Sequence, residues 1–434
     1  MGSIFKRQKL SKEQFEDRIS DLPNSLIAQI LSRLPTKYAM STSVLSTRWK
    51  ELWTSITSFD INDELLLCPQ NKSTDPAMRR SFTSFVHRLL LHHVSCVQRV
   101  HLKCSQSYDA SLVNLWIAHT LLRNVQELYL CLAEIEADVL LLPDHLFTCR
   151  TLVVLKLGGT HCGTRLTVPA TVSLPSLKIL QLDSFKCGDD DSINRFLSGC
   201  PVLEELSMSE CVGENVSVID IVAPRLTSLS MLDFFDPPRA FKRKIVLDTP
   251  ALLFLEIHEY SEDDRYLVEN LHRLIRADIH LSTCDASGNG LTDLLKGMSN
   301  VQFLKLGFFS PPAICLSNAL LPKFHNVTYL ELGAMPNDGW KLLSELLENC
   351  PHLGTLVFGK GLRDEDWYYP LHWNLPQNVP SCLFSHLKVI EIKFFKGEKE
   401  EWEMVEYFLS NAKVLEKVNM RYSGERDWTI QITP

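Results

Sequence analysis

One spacing constrains this chain more than any other feature: a hydrophobic triplet of the form apolar-x-x-apolar-x-apolar that returns through most of its length. It reads Val97/Val100/Leu102, Val125/Leu128/Leu130, Leu152/Leu155/Leu157, Leu177/Leu180/Leu182, Leu203/Leu206/Met208 and Leu226/Leu229/Met231. It continues as Leu252/Leu255/Ile257, a degenerate Leu274/Ala277/Ile279, Val301/Leu304/Leu306, Val327/Leu330/Leu332 and Leu353/Leu356/Phe358, then Leu387/Ile390/Ile392 and Leu415/Val418/Met420. Successive anchors lie mostly 22 to 28 residues apart, with one gap of 34 after Leu353. Side chains alternate across a strand, so the last two apolar positions of each triplet share one face and the residues between them the other.

That period is the signature of a leucine-rich repeat, with one short strand per turn and a helix or irregular segment as the return leg. No single turn buries its own apolar face, so stability comes from stacking into an α/β solenoid of horseshoe form. Pro175, Pro201, Pro224, Pro250 and Pro351 each stand two residues before an anchor. Proline lacks an amide hydrogen and fixes φ, so it ends the return leg and sets the strand's entry. Three fuller echoes, Phe196–Leu203, Leu346–Leu353 and Phe408–Leu415, read as amphipathic helix ends running into strands. Where the commonest repeat carries an Asn that ties turns together, this chain has Phe185, Cys211, Phe234, Tyr260, Cys284, Phe309, Met335 and Phe395, which predicts apolar packing there.

Residues 17–53 fall outside the repeat. Asp21-Leu22-Pro23-Asn24-Ser25 is a helix start, with a capping side chain and a proline in the first turn. Leu26, Ile27, Ile30, Leu31 and Leu34 follow at helical spacing until Pro35. A further helix is expected around Val44 and Leu45, and a third through Trp49, Leu52, Trp53 and Ile56. So small a three-helix body cannot cover all its apolar groups. The first solenoid turn, beginning Ile56/Phe59/Ile61, is expected to cover some, and a partner protein the rest.

The run from Asp17 to Pro35, followed by Ser43-Val-Leu-Ser-Thr-Arg-Trp-Lys-Glu-Leu-Trp53, resembles an F-box of the plant type. Val379-Pro-Ser-Cys-Leu383, Leu387–Ile392, Phe395-Lys-Gly397 and Tyr407–Ala412 resemble the FBD module. With the repeats, these make the chain similar to plant F-box/FBD/leucine-rich-repeat proteins. The resemblance implies a tail at 1–16, an F-box at 17–56, repeats at 57–375 and an FBD module continuing the solenoid at 376–434. It also implies a substrate-recognition subunit of an SCF-type (Skp-cullin-F-box) ubiquitin ligase, with no catalytic role of its own. The F-box would dock a Skp-family adaptor, and through it cullin and RING subunits, by Leu22, Pro23, Leu26, Ile30, Leu31, Val44, Leu45 and Trp49. Asn24 stands where that family often has an acid, and Met40 lies in its variable helix. Four or five such side chains would contribute roughly 6 to 15 kcal/mol gross at about 1.5 to 3 each, before association costs.

The repeats would hold a protein target, and outward aromatics at Tyr129, Phe254, Phe303 and Tyr329 are the candidate anchors, with packing against neighbouring strand residues as the alternative. The net charge of -8 gives no electrostatic reason for a nucleic-acid partner. The 13 cysteines form no Cys-x-x-Cys pair and read as buried apolar residues of a reducing compartment. Met1–Arg7 has neither the apolar run of a signal peptide nor, with Lys6, the acceptor pattern for myristoylation. No apolar stretch approaches a membrane span. A cytoplasmic or nuclear location is expected. His93, Cys96, His101 and Cys104 have zinc-like spacing but straddle a helix end and a strand, so they read as ordinary edge residues. No phosphate-binding glycine loop or Gly-x-Ser-x-Gly elbow occurs, and neither cofactor nor metal is expected. The alternative function is an interaction scaffold detached from any ligase.

Overall fold

A computed structural model describes residues 19, 21–66, 76–93, 95–132, 139–140, 142–159, 165–184, 186–187, 190–211, 216–233, 243–260, 265–282, 289–307, 310–311, 314, 320–333, 339–360, 378–422 and 427–431. One sheet of fifteen strands runs through it, from Ser58–Asn62 to Asp427–Gln431. Its strands stack in chain order and pair in parallel, except that Asp427–Gln431 returns antiparallel on Lys417–Tyr422. The first strand of the series holds Phe59 and Ile61 of the expected opening turn, both buried with Ile56.

The triplets set the register. One column runs across the sheet through Phe59, Val100, Leu128, Leu155, Leu180, Leu206, Leu229, Leu255, Ala277, Leu304, Leu330, Leu356, Ile390 and Val418. Every member is almost fully buried, so truncating one leucine of the column to alanine costs about 2–5 kcal/mol. The prolines act through a turn: the amides of Leu177, Leu203, Leu226, Leu252 and Leu353 each donate to the carbonyl three residues back, at 3.0 to 3.2 Å. Proline is then the second residue of each four-residue turn, where its fixed φ is already correct.

Return legs vary. Helices fill those at Ala110–Leu121, Asp190–Ser198, Asn289–Gly297, Gly339–Asn349 and Lys399–Asn411. Between the second and third of these the leg is extended instead: Val218–Val222, Lys244–Asp248 and Arg265–Asn270 form a separate three-stranded parallel sheet. Two turns in this region, 23 residues from Leu203 and 22 from Leu252, are the shortest of the series. Val218-Ile-Asp-Ile-Val222 alternates with period two and buries Ile219 and Ile221, which is a strand's pattern. Of the positions expected to replace the usual Asn, Cys211 and Phe395 are buried. Phe185, Phe234, Cys284, Phe309 and Met335 lie outside the described residues, as does the side chain of Tyr260.

The N-terminal unit has helix α1 (Asn24–Leu31) and helix α2 (Thr36–Ser41), each entered from a proline. The helices expected around Val44 and Leu45 and through Trp49, Leu52, Trp53 and Ile56 are both replaced by tighter turns. Val44 sits in a short 3-10 turn, Thr42–Val44, and Leu52–Ser55 forms another. Leu52, Thr54 and Ile56 each bond back three residues, and three-per-turn winding buries an i, i+3 stripe much as an α-helix would. The unit is joined to the solenoid by Thr36 Oγ1, which accepts from Asp60 N at 2.8 Å, and by Ser32 Oγ, which accepts from Thr57 N at 3.0 Å.

Candidate functional site

Two surfaces deserve a functional reading, one at the N-terminal end and one on the inner face of the large sheet. In α1, Ile27 and Leu31 face inward while Leu26 and Ile30, one turn apart, are 44% and 48% exposed. Val44 and Leu45 stand out further, at 87% and 64%. Leu34 and Tyr38 add exposed apolar surface that the sequence reading did not assign. Pro23 is exposed and Leu22 half-buried. The Arg48 guanidinium donates to Asn24 Oδ1 at 2.8 and 2.9 Å and to the Leu22 carbonyl, which fixes the start of α1. Asn24 therefore fills its position as a neutral acceptor. Two of the eight expected docking residues point the other way: Leu31 is 1% exposed and Trp49 8%, both within the chain's own core. Both belong to the buried cluster that runs without a break from the N-terminal unit into the solenoid.

On the inner face, register brings three of the four expected aromatics together. Phe254, Arg276, Phe303 and Tyr329 occupy one row across four adjacent strands. The Arg276 guanidinium lies 5.9 Å from the Phe254 ring centroid, and the Phe303 and Tyr329 rings are 6.0 Å apart. Tyr329 Oη donates to Glu331 Oε2 at 2.8 Å. Tyr129 belongs elsewhere: it lies five strands from Phe254, about 24 Å at the usual inter-strand spacing. There it donates to Glu127 and takes the Lys156 ammonium at 5.3 Å from its ring centroid.

The next row along the same strands is charged: Glu256, Asp278, Lys305 and Glu331. Burial opposes ionisation of Asp278, but the nitrogens of His258, His280 and Lys305 that face it overcome this and hold its carboxyl well below the usual range. Lys305 Nζ donates to Asp278 Oδ2 at 2.8 Å. Sequence reasoning missed these residues because alternate polar positions on a strand look like plain solvent-facing surface until neighbouring strands align them.

The zinc-like spacing near residue 100 resolves into separate roles. His93 Nε2 lies 2.8 Å from the Ile56 carbonyl, His101 Nδ1 lies 3.0 Å from Asp60 Oδ1, Cys104 is buried and Cys96 exposed. Burial pushes the Cys200 and Cys382 thiols up to about 12, so both stay protonated at neutral pH and neither is a nucleophile.

Comparison with known proteins decides what scaffold carries these surfaces. The F-box domain family matches residues 19–60, the leucine-rich repeats of FBD-associated F-box protein At5g56370 match 113–273, and the FBD family matches 375–420. The F-box/FBD/LRR-repeat protein At4g26340 of Arabidopsis thaliana is 31% identical over 409 residues, covering 92% of this chain and 91% of its own length. The F-box/LRR-repeat protein At3g59200 of the same plant is 34% identical over 447 residues, covering 95% and 83%. This chain belongs to the plant F-box/FBD/leucine-rich-repeat family. In F-box terms, the exposed Leu26, Ile30, Val44 and Leu45 sit in the module whose general role is to bind Skp-type adaptors. The FBD match takes in the last helical return leg, Lys399–Asn411, and its flanking strands. Among the described residues, no helix is long and apolar enough to cross a membrane.

Proposed function

We propose that this protein is a non-catalytic target receptor of an SCF-type ubiquitin ligase. The F-box docks a Skp-family adaptor, and through it the cullin and RING subunits, by Leu22, Pro23, Leu26, Ile30, Val44 and Leu45. The solenoid holds a protein target near the Phe254, Phe303 and Tyr329 row, with Arg276 among them. Ubiquitin transfer then gains from proximity, since a tethered lysine experiences a high effective concentration of the loaded enzyme.

One observation carries this reading: an F-box that buries Leu31 and Trp49 in its own core still leaves Leu26, Ile30, Val44 and Leu45 in solvent. Apolar side chains left out by a well-packed small domain mark an interaction surface. Each contributes about 1.5–3 kcal/mol when covered.

The test is co-purification of the full chain with a panel of Skp-family adaptors, beside a Val44→Asp, Leu45→Asp variant. Both positions are exposed, so the variant is expected to fold and to bind at least about a hundredfold more weakly. Leu31→Asp or Trp49→Ala would test the core instead. If the folded wild type binds no adaptor, the ligase reading fails and the solenoid stands as an interaction scaffold.

A further inference from the structure

Behind the aromatic row lies a cluster whose chemistry target recognition does not require. His258, Asp278 and His280 belong to two adjacent strands, and His258 and His280 are register partners. One donor atom from each of the three lies within 4.8 Å of the others. His280 Nε2 stands 2.9 Å from Asp278 Oδ1, and His258 Nε2 stands 3.9 Å from the same oxygen. Glu256 Oε1 lies 3.5 Å from His258 Nε2.

The two carboxylates are built alike. Asp278 gives Oδ2 to Lys305 Nζ at 2.8 Å and turns Oδ1 to the imidazoles. Glu256 takes the Ser230 hydroxyl on Oε2 at 2.9 Å and turns Oε1 to His258. In each, one oxygen is anchored to the protein and the other faces an imidazole, which is how outer hydrogen bonds orient metal-binding carboxylates. Asp278 is 6% exposed. Its Oδ1 and His280 Nε2 are sealed from solvent, yet they are not aligned as a hydrogen bond despite their short separation.

The rings are held in place by packing. The His258 and His280 centroids are 4.0 Å apart with planes inclined by 30°. His280 lies flat on Gly307, where an added Cβ would fall 2.0 Å from the ring's Cγ. Only glycine at 307 leaves room for the ring in this position.

We propose that His258, His280 and Asp278 form a binding site for a zinc-class divalent cation on the inner face of the solenoid, with Glu256 beside it. Two imidazoles and a carboxylate suit a borderline d-block ion better than calcium or magnesium, which prefer all-oxygen sets. Tetrahedral zinc with bonds of about 2.0–2.1 Å places its donors roughly 3.3 Å apart. The separations of 2.9 and 3.9 Å from Asp278 Oδ1 bracket that value, and all three donors lie within 4.8 Å of one another, so small side-chain rotations bring them onto one ion.

The experiment uses the full chain stripped with a chelator and titrated with zinc chloride against a chromogenic competitor. One equivalent should bind with micromolar affinity or better. His258→Gln with His280→Gln should abolish that equivalent, and Gly307→Ala should weaken it by about tenfold by displacing a ring without removing a ligand. Cobalt(II) loaded into the unmodified chain gives a readout that no variant's folding can confuse. It should show the visible bands of a tetrahedral nitrogen/oxygen site without thiolate charge transfer. Absence of zinc binding, unchanged binding in the double variant, or a thiolate-type cobalt spectrum would each overturn the proposal. None of these readouts depends on adaptor docking, so the proposal stands or falls apart from the ligase reading.

Discussion

His93 is fully buried and holds its place as a neutral ring. Its Nδ1 faces the Arg123 guanidinium at 3.2 Å, which can only donate, so the ring proton lies on Nε2 and is donated to the Ile56 carbonyl. Burial lowers its pKa, and the nearby Arg123 charge adds to this. A depressed histidine contributes stability that is complete above the unfolded value of about 6.5 and is lost as pH falls through the folded pKa, with a steepest slope of about 1.4 kcal/mol per pH unit. Thermal unfolding at pH 7.5 and 5.5 should therefore show a drop in the wild type that is smaller in His93→Gln, which offers the same donor and acceptor without a charge. Equal drops would remove His93 from the account. Glu401 works by a different logic: its buried Oε2 accepts from the amides of Lys396, Gly397 and Glu398 at 2.9, 2.6 and 3.0 Å. Glu401→Ala orphans these amides at the start of a helix and should cost about 1–3 kcal/mol in denaturant unfolding, with Glu401→Gln costing less. Neither role was legible in the sequence, because each depends on which backbone groups the fold leaves unpaired. The burial of Leu31 and Trp49 was not legible for a related reason: an apolar position reads the same whether its own core or a partner covers it.

At the scale of elements, strand positions were legible and the connecting legs much less so. The triplets locate strands because period two over a short run, repeated every 22 to 28 residues, has few other readings. Trp49, Leu52, Trp53 and Ile56 read as an α-helix because i, i+3 spacing is shared with the tighter 3-10 turns that the chain adopts. Anchor spacing alone does not mark the extended return legs, since the 26-residue turn from Leu226 holds the strand Lys244–Asp248 while the 26-residue turns from Leu177 and Val327 hold helices. Two neighbouring residues at one leg's end separate conformational from steric control. Pro201 is the second residue of a turn closed by Leu203 N and the Cys200 carbonyl at 3.2 Å. Pro201→Ala keeps that bond and should cost only about 0.4–1 kcal/mol, through the unfolded chain. Gly199, two residues earlier, accepts from Leu174 N at 2.8 Å and packs so closely that a Cβ would lie 2.5 Å from Val172 Cγ1 and 2.7 Å from its carbonyl oxygen. A backbone oxygen cannot swing aside as a side chain can. Gly199→Ala should cost about 1–3 kcal/mol, and urea melts of the two variants should differ in that order.

The whole molecule has two ends to protect, since a stacked sheet leaves an open strand edge at each. At the first end the F-box supplies the cover: Ser32 and Thr36 accept the amides of Thr57 and Asp60 on the edge strand, while Ile27 and Leu31 face the core. The F-box thus caps the solenoid with its inner face and leaves its outer face for a partner. On the function proposed above, adaptor docking would then orient the solenoid rigidly toward the enzyme that receives its target. At the other end the chain reverses, and Asp427–Gln431 pairs antiparallel along Lys417–Tyr422. A reversed strand ends the parallel series because the next turn would have to continue in the opposite direction to stack on it. Removing residues 424–434 should leave the main fold standing, because each turn contacts chiefly its neighbours, but it opens the edge of Lys417–Tyr422. The truncated protein should form soluble oligomers, seen by light scattering after gel filtration, at concentrations where the full chain is monodisperse. Its amides in Lys417–Tyr422 should also exchange with solvent faster, while those of Phe303–Leu306 and Tyr329–Leu332, deep in the stack, remain unchanged. A truncated chain that stays monodisperse with unaltered exchange would show that the reversed strand is not the cap, and that the edge of Lys417–Tyr422 is blunted by its own side chains.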